Sequence, residues 1–143
     1  MKHALKIVVL VTGLLLGSPG HHLLQAQSGP IQVTLKATNG SWSLYRDGKP
    51  YYVKGAGGQT ELDRVVACGG NTIRTWSDDN AGKILDEAHA RGLTVCLGLW
   101  VGHERHGFDY NDKYAVAGQL EKFRETVIRY KDHPALLMWA VGN

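Results

Sequence analysis

The 143-residue chain has 43 % hydrophobic and 20 % charged residues, with 16 Lys and Arg against 13 Asp and Glu. This is a normal globular balance that allows one ordinary domain and points to no function by itself. No cationic stripe speaks for nucleic acid, and no block of like charge reads as a solvated tail.

The first segment reads as a secretory signal peptide covering residues 1–26. Met1-Lys2-His3-Ala4-Leu5-Lys6 is a basic start, Ile7 to Gly17 is an uncharged apolar core, and a cleavage site follows Leu24-Gln25-Ala26. The apolar core is well short of the ~20 residues that cross a bilayer, so an uncleaved anchor is the weaker reading and no stable membrane association is expected after cleavage. Without Lys2 and Lys6 the 16 basic residues become 14 against 13 acidic, so most of the basic excess belongs to this segment. The expected location is secreted or periplasmic. In such a compartment Cys68 and Cys96 are permitted to pair, but their apolar settings read as two small buried hydrophobes.

Residues 27–50 read as an N-terminal strand and hairpin. Ile31 to Leu35 and Trp42 to Arg46 alternate apolar and polar positions, and Asp47-Gly48 is a turn signal before Lys49-Pro50-Tyr51-Tyr52-Val53. From there, strands and helices take turns. Thr60 is an N-cap candidate with Asp63 three residues on. Gly69-Gly70 stops that helix. Asn71 to Trp76 is a short strand, and Asp79 or Asn80 can cap a helix over Ala81 to Arg91, ended by Gly92. Leu93 to Val101 is an almost wholly apolar strand. Tyr114 to Tyr130 is the longest helix, with Val116, Leu120, Phe123, Val127 and Ile128 at helical spacing. The chain closes on Ala135-Leu136-Leu137-Met138-Trp139-Ala140-Val141-Gly142-Asn143, a run expected to be buried on both faces as a strand. Apolar strands alternating with amphipathic helices mean an α/β fold with parallel strands. The pattern alone fits an open doubly wound sheet or a closed (β/α)8 barrel.

Three stretches carry a family resemblance. Tyr130 to Asn143 resembles the fourth strand of the glycoside hydrolase clan A barrels, most closely family 2, where the strand runs into an Asn-Glu pair whose Glu is the general acid/base. Leu44 to Gly55 resembles the hairpin that leads into the family's first barrel strand, which the resemblance places at Tyr52 to Gly55. Asn71-Thr72-Ile73-Arg74 is similar to the Asn-x-x-Arg of its second strand. The resemblance implies that residues 51–143 are the first half of a (β/α)8 TIM barrel cut after its fourth strand, since a whole barrel needs about 250 residues. It further implies an exported retaining glycoside hydrolase acting on β-linked oligo- or polysaccharide. The rivals are a non-catalytic carbohydrate-binding or scaffold module, and a glucan-remodelling transglycosidase.

Reactive groups in such barrels gather at the C-terminal ends of the strands. There the chain places Arg74, Trp76, Trp100, His103, His106 and Asn143, the expected substrate-binding residues. Tryptophan faces suit the C–H face of a sugar ring, although a strand-end Trp is as often a packing residue. Alternation turns Arg74 opposite Ile73, and a buried guanidinium needs a carboxylate; structural partners would be Asp63, Asp78 or Asp86. The resemblance instead implies that Arg74 hydrogen-bonds the catalytic nucleophile, and that Asn143 holds the sugar 2-hydroxyl. No catalytic carboxylate is expected within the chain, the acid/base being expected just after Asn143. His103-Glu104-Arg105-His106 lacks the His-Glu-x-x-His spacing of a zinc helix, and Asp109, Asn111 and Asp112 lack the Gly and Glu of a calcium loop. No metal and no cofactor are implied. This stretch reads as a hydrogen-bonding loop for a hydroxyl-rich substrate, or as a solvated loop tied down by its own charges. His89 and His133 read as structural.

Overall fold

A computed structural model describes residues 30–142. The signal-peptide reading of residues 1–26 and the role of Asn143 fall outside the described residues.

The first three strands form an antiparallel sheet: β1 (Val33–Thr38), β2 (Ser41–Arg46) and β3 (Lys49–Pro50). Both connections are two-residue turns, Asn39-Gly40 and Asp47-Gly48, with every φ between 50° and 77°. That left-handed geometry matches the twist of the flanking strands and favours Asn-Gly and Asp-Gly.

The second sheet is parallel, in the order β4 (Gly55–Gly57), β5 (Thr72–Arg74), β6 (Thr94–Leu99), β7 (Leu136–Val141). Between these run α1 (Leu62–Ala67), α2 (Ala81–Ala90) and α3 (Lys113–Tyr130). Among the described residues no helix is long and apolar enough to cross a membrane. One face of the sheet, carrying Ile73, Val95 and Leu97, is buried in a core shared with Leu62 of α1 and Ile84, Leu85 and Ala88 of α2. Alternation therefore sends Thr72, Arg74, Thr94 and Cys96 to the face opposite that core.

Several expectations need correction. The first parallel strand lies at Gly55–Gly57 rather than Tyr52 to Gly55; upstream, Lys54 is tied to Asn71 by its backbone carbonyl and amide, and Tyr52 by its carbonyl. Thr60 does not cap α1, and neither Asp79 nor Asn80 caps α2 through its side chain. The N-cap residues Glu61 and Asn80 sit in left-handed backbone with no side-chain cap, and the Asp78 carbonyl accepts from the Ala81 amide instead. On α3 the expected apolar face is only partly covered: Val116, Phe123 and Val127 are half-buried, whereas Leu120 and Ile128 are exposed. In β7 only Leu136 and Leu137 are buried; Met138 and Val141 are exposed, because β7 is an edge strand among the described residues. Cys68 and Cys96 are both free thiols, Cys68 exposed and Cys96 half-buried.

The antiparallel sheet closes the N-terminal end of the parallel one. Tyr51 Oη lies 3.1 Å from Thr94 Oγ1 and 3.3 Å from Thr72 Oγ1, and donates to the Asn71 carbonyl at 3.0 Å. The two threonine hydroxyls are 3.0 Å apart. Arg46 Nη2 donates to the Pro134 carbonyl, fixing β2 beneath the start of β7. The opposite, C-terminal end of the sheet stays open.

Candidate functional site

At that open end the backbone of β5 continues as a strap across β6. Thr75 N donates to the Cys96 carbonyl, Gly98 N donates to Thr75 Oγ1 at 3.0 Å, and Thr75 Oγ1 donates to the Ser77 carbonyl. Gly98 makes the crossing possible. A Cβ there would run into the Trp76 carbonyl carbon and lie 2.5 Å from the Thr75 oxygen, both backbone atoms that cannot swing aside.

The strap sets Trp76 at the rim, 42 % exposed. Its indole lies over Gly57, where a Cβ would come within 2.8 Å of the ring. The Arg74 guanidinium is 5.6 Å from the ring centroid, in cation–π range. Arg74 and Trp76 border a concavity of about 460 Å3 whose walls include Val53, Cys96 and Met138. Burial pushes the Cys96 thiol up from its ordinary pKa, and the Arg74 cation partly opposes this. Asp63, Asp78 and Asp86 each have contacts with other side chains. Asp63 pairs with Arg91 at 2.7 Å, Asp86 meets His133 Nε2 at 3.2 Å, and Asp78 accepts from Thr126 Oγ1 at 2.7 Å with Lys122 at 3.9 Å. The Arg91 guanidinium holds the exposed Asp63 carboxyl below its ordinary range.

Trp100, at the exit of β6, gathers the two loop histidines. Its ring stacks on His106 at 6.5 Å and 11°, and lies 5.1 Å from His103. His103 Nε2 is buried without a hydrogen-bond partner among the described residues. The loop itself is anchored through Gly102, whose amide donates to Gln119 of α3 and whose carbonyl accepts from Tyr110 Oη, both at 2.6 Å. Asp109 Oδ1 accepts from the Asn111 amide, and Asp112 caps α3 by accepting from the amides of Tyr114 and Ala115. Their carboxylates therefore shape the loop. His133 likewise fixes a turn: its Nδ1 accepts from the Ala135 amide, which leaves the proton on Nε2 facing Asp86. His89 packs edge-on against it at 6.0 Å.

Trp76 and Trp100 meet across a second cavity of about 430 Å3, completed by Ser77, Asp78, Asp79 and Lys122. The structure thus joins Arg74 to Trp76 in the basin, Trp100 to His103 and His106 in the loop, and both tryptophans across the groove. Asp79 and Lys122 were not among the expected site residues. Lys122 comes to the groove from the middle of α3, a helix whose pattern marks only its apolar positions. Among the described residues no group of three or more His, Cys, Asp or Glu could hold a metal ion.

No protein-family model matches the chain. Among solved structures it is similar to a β-D-glucuronidase of Dictyoglomus thermophilum, with a TM-score of 0.57 and 21 % sequence identity over 79 % of this chain. The chain spans 23 % of that enzyme's length. At this identity the likeness is one of fold: four parallel strands with intervening helices, as they occur within a part of a glycosidase.

Proposed function

We propose that the chain is the first half of the (β/α)8 barrel of an exported retaining glycoside hydrolase acting on β-linked oligo- or polysaccharide. The observation that supports this most is the position of Arg74. It stands on the face of the sheet opposite the core shared with α1 and α2, at the C-terminal end, beside a half-exposed tryptophan and in a fold similar to part of a glycosidase.

Retaining hydrolysis uses two carboxyl groups about 5 to 5.5 Å apart, one protonating the leaving oxygen and one attacking the anomeric carbon. In this reading both come from outside residues 1–143, the acid/base directly after Asn143 and the nucleophile from a later strand. Arg74 then acts as a positioning residue. Its cation lowers the nucleophile's pKa and keeps it ionised, while its donors fix the carboxylate's orientation. Trp76 and Trp100 offer apolar faces to sugar rings, and Asn143 holds the 2-hydroxyl. Residues 1–26 would direct export and then be removed.

The test is made on the complete protein. Arg74→Ala should lower kcat by about 10²- to 10³-fold, the range for loss of one preorganised donor, with a much smaller change in KM. NMR of the first product should show the β-anomer. Unchanged turnover with a large fall in melting temperature would make Arg74 a structural residue and overturn this reading.

A further inference from the structure

Trp76 borders both cavities at the open end of the sheet, the Arg74 basin and the groove reaching to Trp100. Each is within the ~300–1,000 Å3 of small-molecule sites. We propose that the groove is a second saccharide subsite, taking an uncharged sugar ring next in the chain to a ring held in the basin. This rests on the glycosidase reading and adds to it the length and charge of the ligand.

The groove has the two kinds of surface a pyranose presents to a protein. Trp76 and Trp100 are 42 % and 39 % exposed, so each has apolar area left to cover the C–H side of a ring. The polar groups lie beside them. Asp79 is exposed, and Ser77 Oγ donates to its Oδ2 at 2.8 Å, which orients the carboxylate as an acceptor for ring hydroxyls. Lys122, 64 % exposed, supplies donors from the opposite wall and is held at 3.9 Å by Asp78.

Charge selects among sugars. The groove has two carboxylates against one ammonium, so a uronate there meets net repulsion. Carboxylate and ammonium side by side serve hydroxyls, which both donate and accept. Trp76 at the junction makes the two rings consecutive, so the ligand is an oligosaccharide with a neutral second residue.

The test uses the 143-residue chain, with indole N–H resonances and tryptophan fluorescence as readouts. The probes are β-linked tetrasaccharides of glucose, mannose, xylose and galactose, the four monosaccharides, and β-1,4-tetramannuronate. At least one neutral tetrasaccharide should bind about tenfold tighter than its monosaccharide, as expected for added hydrogen bonds to charged groups. Tetramannuronate should bind more weakly than the mannose tetrasaccharide. Asp79→Asn and Lys122→Ala, both at exposed positions, should each lower the tetrasaccharide-to-monosaccharide affinity ratio about fivefold, with folding checked by circular dichroism. Asp79→Asn should also narrow the gap to tetramannuronate. A tetrasaccharide no tighter than its monosaccharide, or a ratio unmoved by both substitutions, overturns the subsite while leaving the glycosidase reading standing. Absence of any saccharide binding by this chain overturns the subsite, while the glycosidase reading is decided by the Arg74→Ala test on the complete protein.

Discussion

Arg74 and Cys96 share the face of the sheet opposite the core, and each reports on the other. The thiol is pushed up by burial and pulled back in part by the guanidinium. Because thiolate is the reactive form, alkylation rate against pH follows this balance. Arg74→Gln removes the cation and leaves burial to act alone, so the midpoint of Cys96 alkylation should move to higher pH. Iodoacetamide rates in a Cys68→Ser background measure it, and a midpoint unmoved or lowered would mean that Arg74 does not act on this face. Gly98 is the residue on which the rim depends. Gly98→Ala places a methyl against the backbone of Thr75 and Trp76. It should cost about 1–3 kcal/mol, as overpacking does, and shift the Trp76 indole resonance. Urea denaturation at wild-type stability would refute the close crossing. Nothing in the sequence around Gly98 marks it, since a glycine within an apolar strand looks the same whether or not another backbone crosses it.

At the scale of elements, the order of strands and helices was legible and their ends were not. Alternation of apolar runs with 3.6-residue periodicity located β5, β6 and β7, because burial imposes those periods whatever the tertiary details, whereas β4 is only Gly-Ala-Gly and starts where the expected Tyr52 to Gly55 strand ends. Asp47-Gly48 marks its turn in the sequence, and Asn39-Gly40 is the same chemistry one hairpin earlier. The caps failed for a physical reason. Thr60 and Asp79 have the right side chains, but α1 and α2 begin from left-handed residues, Glu61 and Asn80, whose backbone direction takes over the start of the helix. At α3 the usual rule holds, with Asp112 accepting from two amides of the first turn. Asp112→Ala should therefore destabilise by about 1 kcal/mol and Asp112→Asn by less, by urea titration. Because α3 also brings Gln119 to the Gly102 loop, the alanine variant should increase hydrogen exchange at the Gly102 amide. Of the site, Arg74 and the two tryptophans were recognisable as polar or aromatic ends of apolar strands. Asp79 and Lys122 were not, because their meeting depends on how α3 lies against the β5 exit.

For the molecule as a whole, the distribution of burial carries the remaining consequence. The helix-covered face of the parallel sheet holds the core, and the other face has Arg74, Cys96 and Met138 open to the basin. Neither β4 nor β7 has a second neighbour among the described residues. The two edges are unequal. β4 is three residues of Gly-Ala-Gly, whereas β7 is Leu-Leu-Met-Trp-Ala-Val, uncharged and free of proline. A six-residue apolar edge of this kind is a template for pairing with another chain, and a charge on it is the usual safeguard. Val141, 71 % exposed near the end of β7, is where such a charge disturbs the core least. The 143-residue chain should therefore associate in a concentration-dependent way in sedimentation velocity, and Val141→Lys should shift it toward monomer without loss of helical circular dichroism. Amides of β7 that donate to β6 should exchange slowly in both proteins, while those pointing to the open edge should be protected only in the associating parent. A parent chain that stays monomeric at every concentration tested would show that β7 is not an adhesive edge.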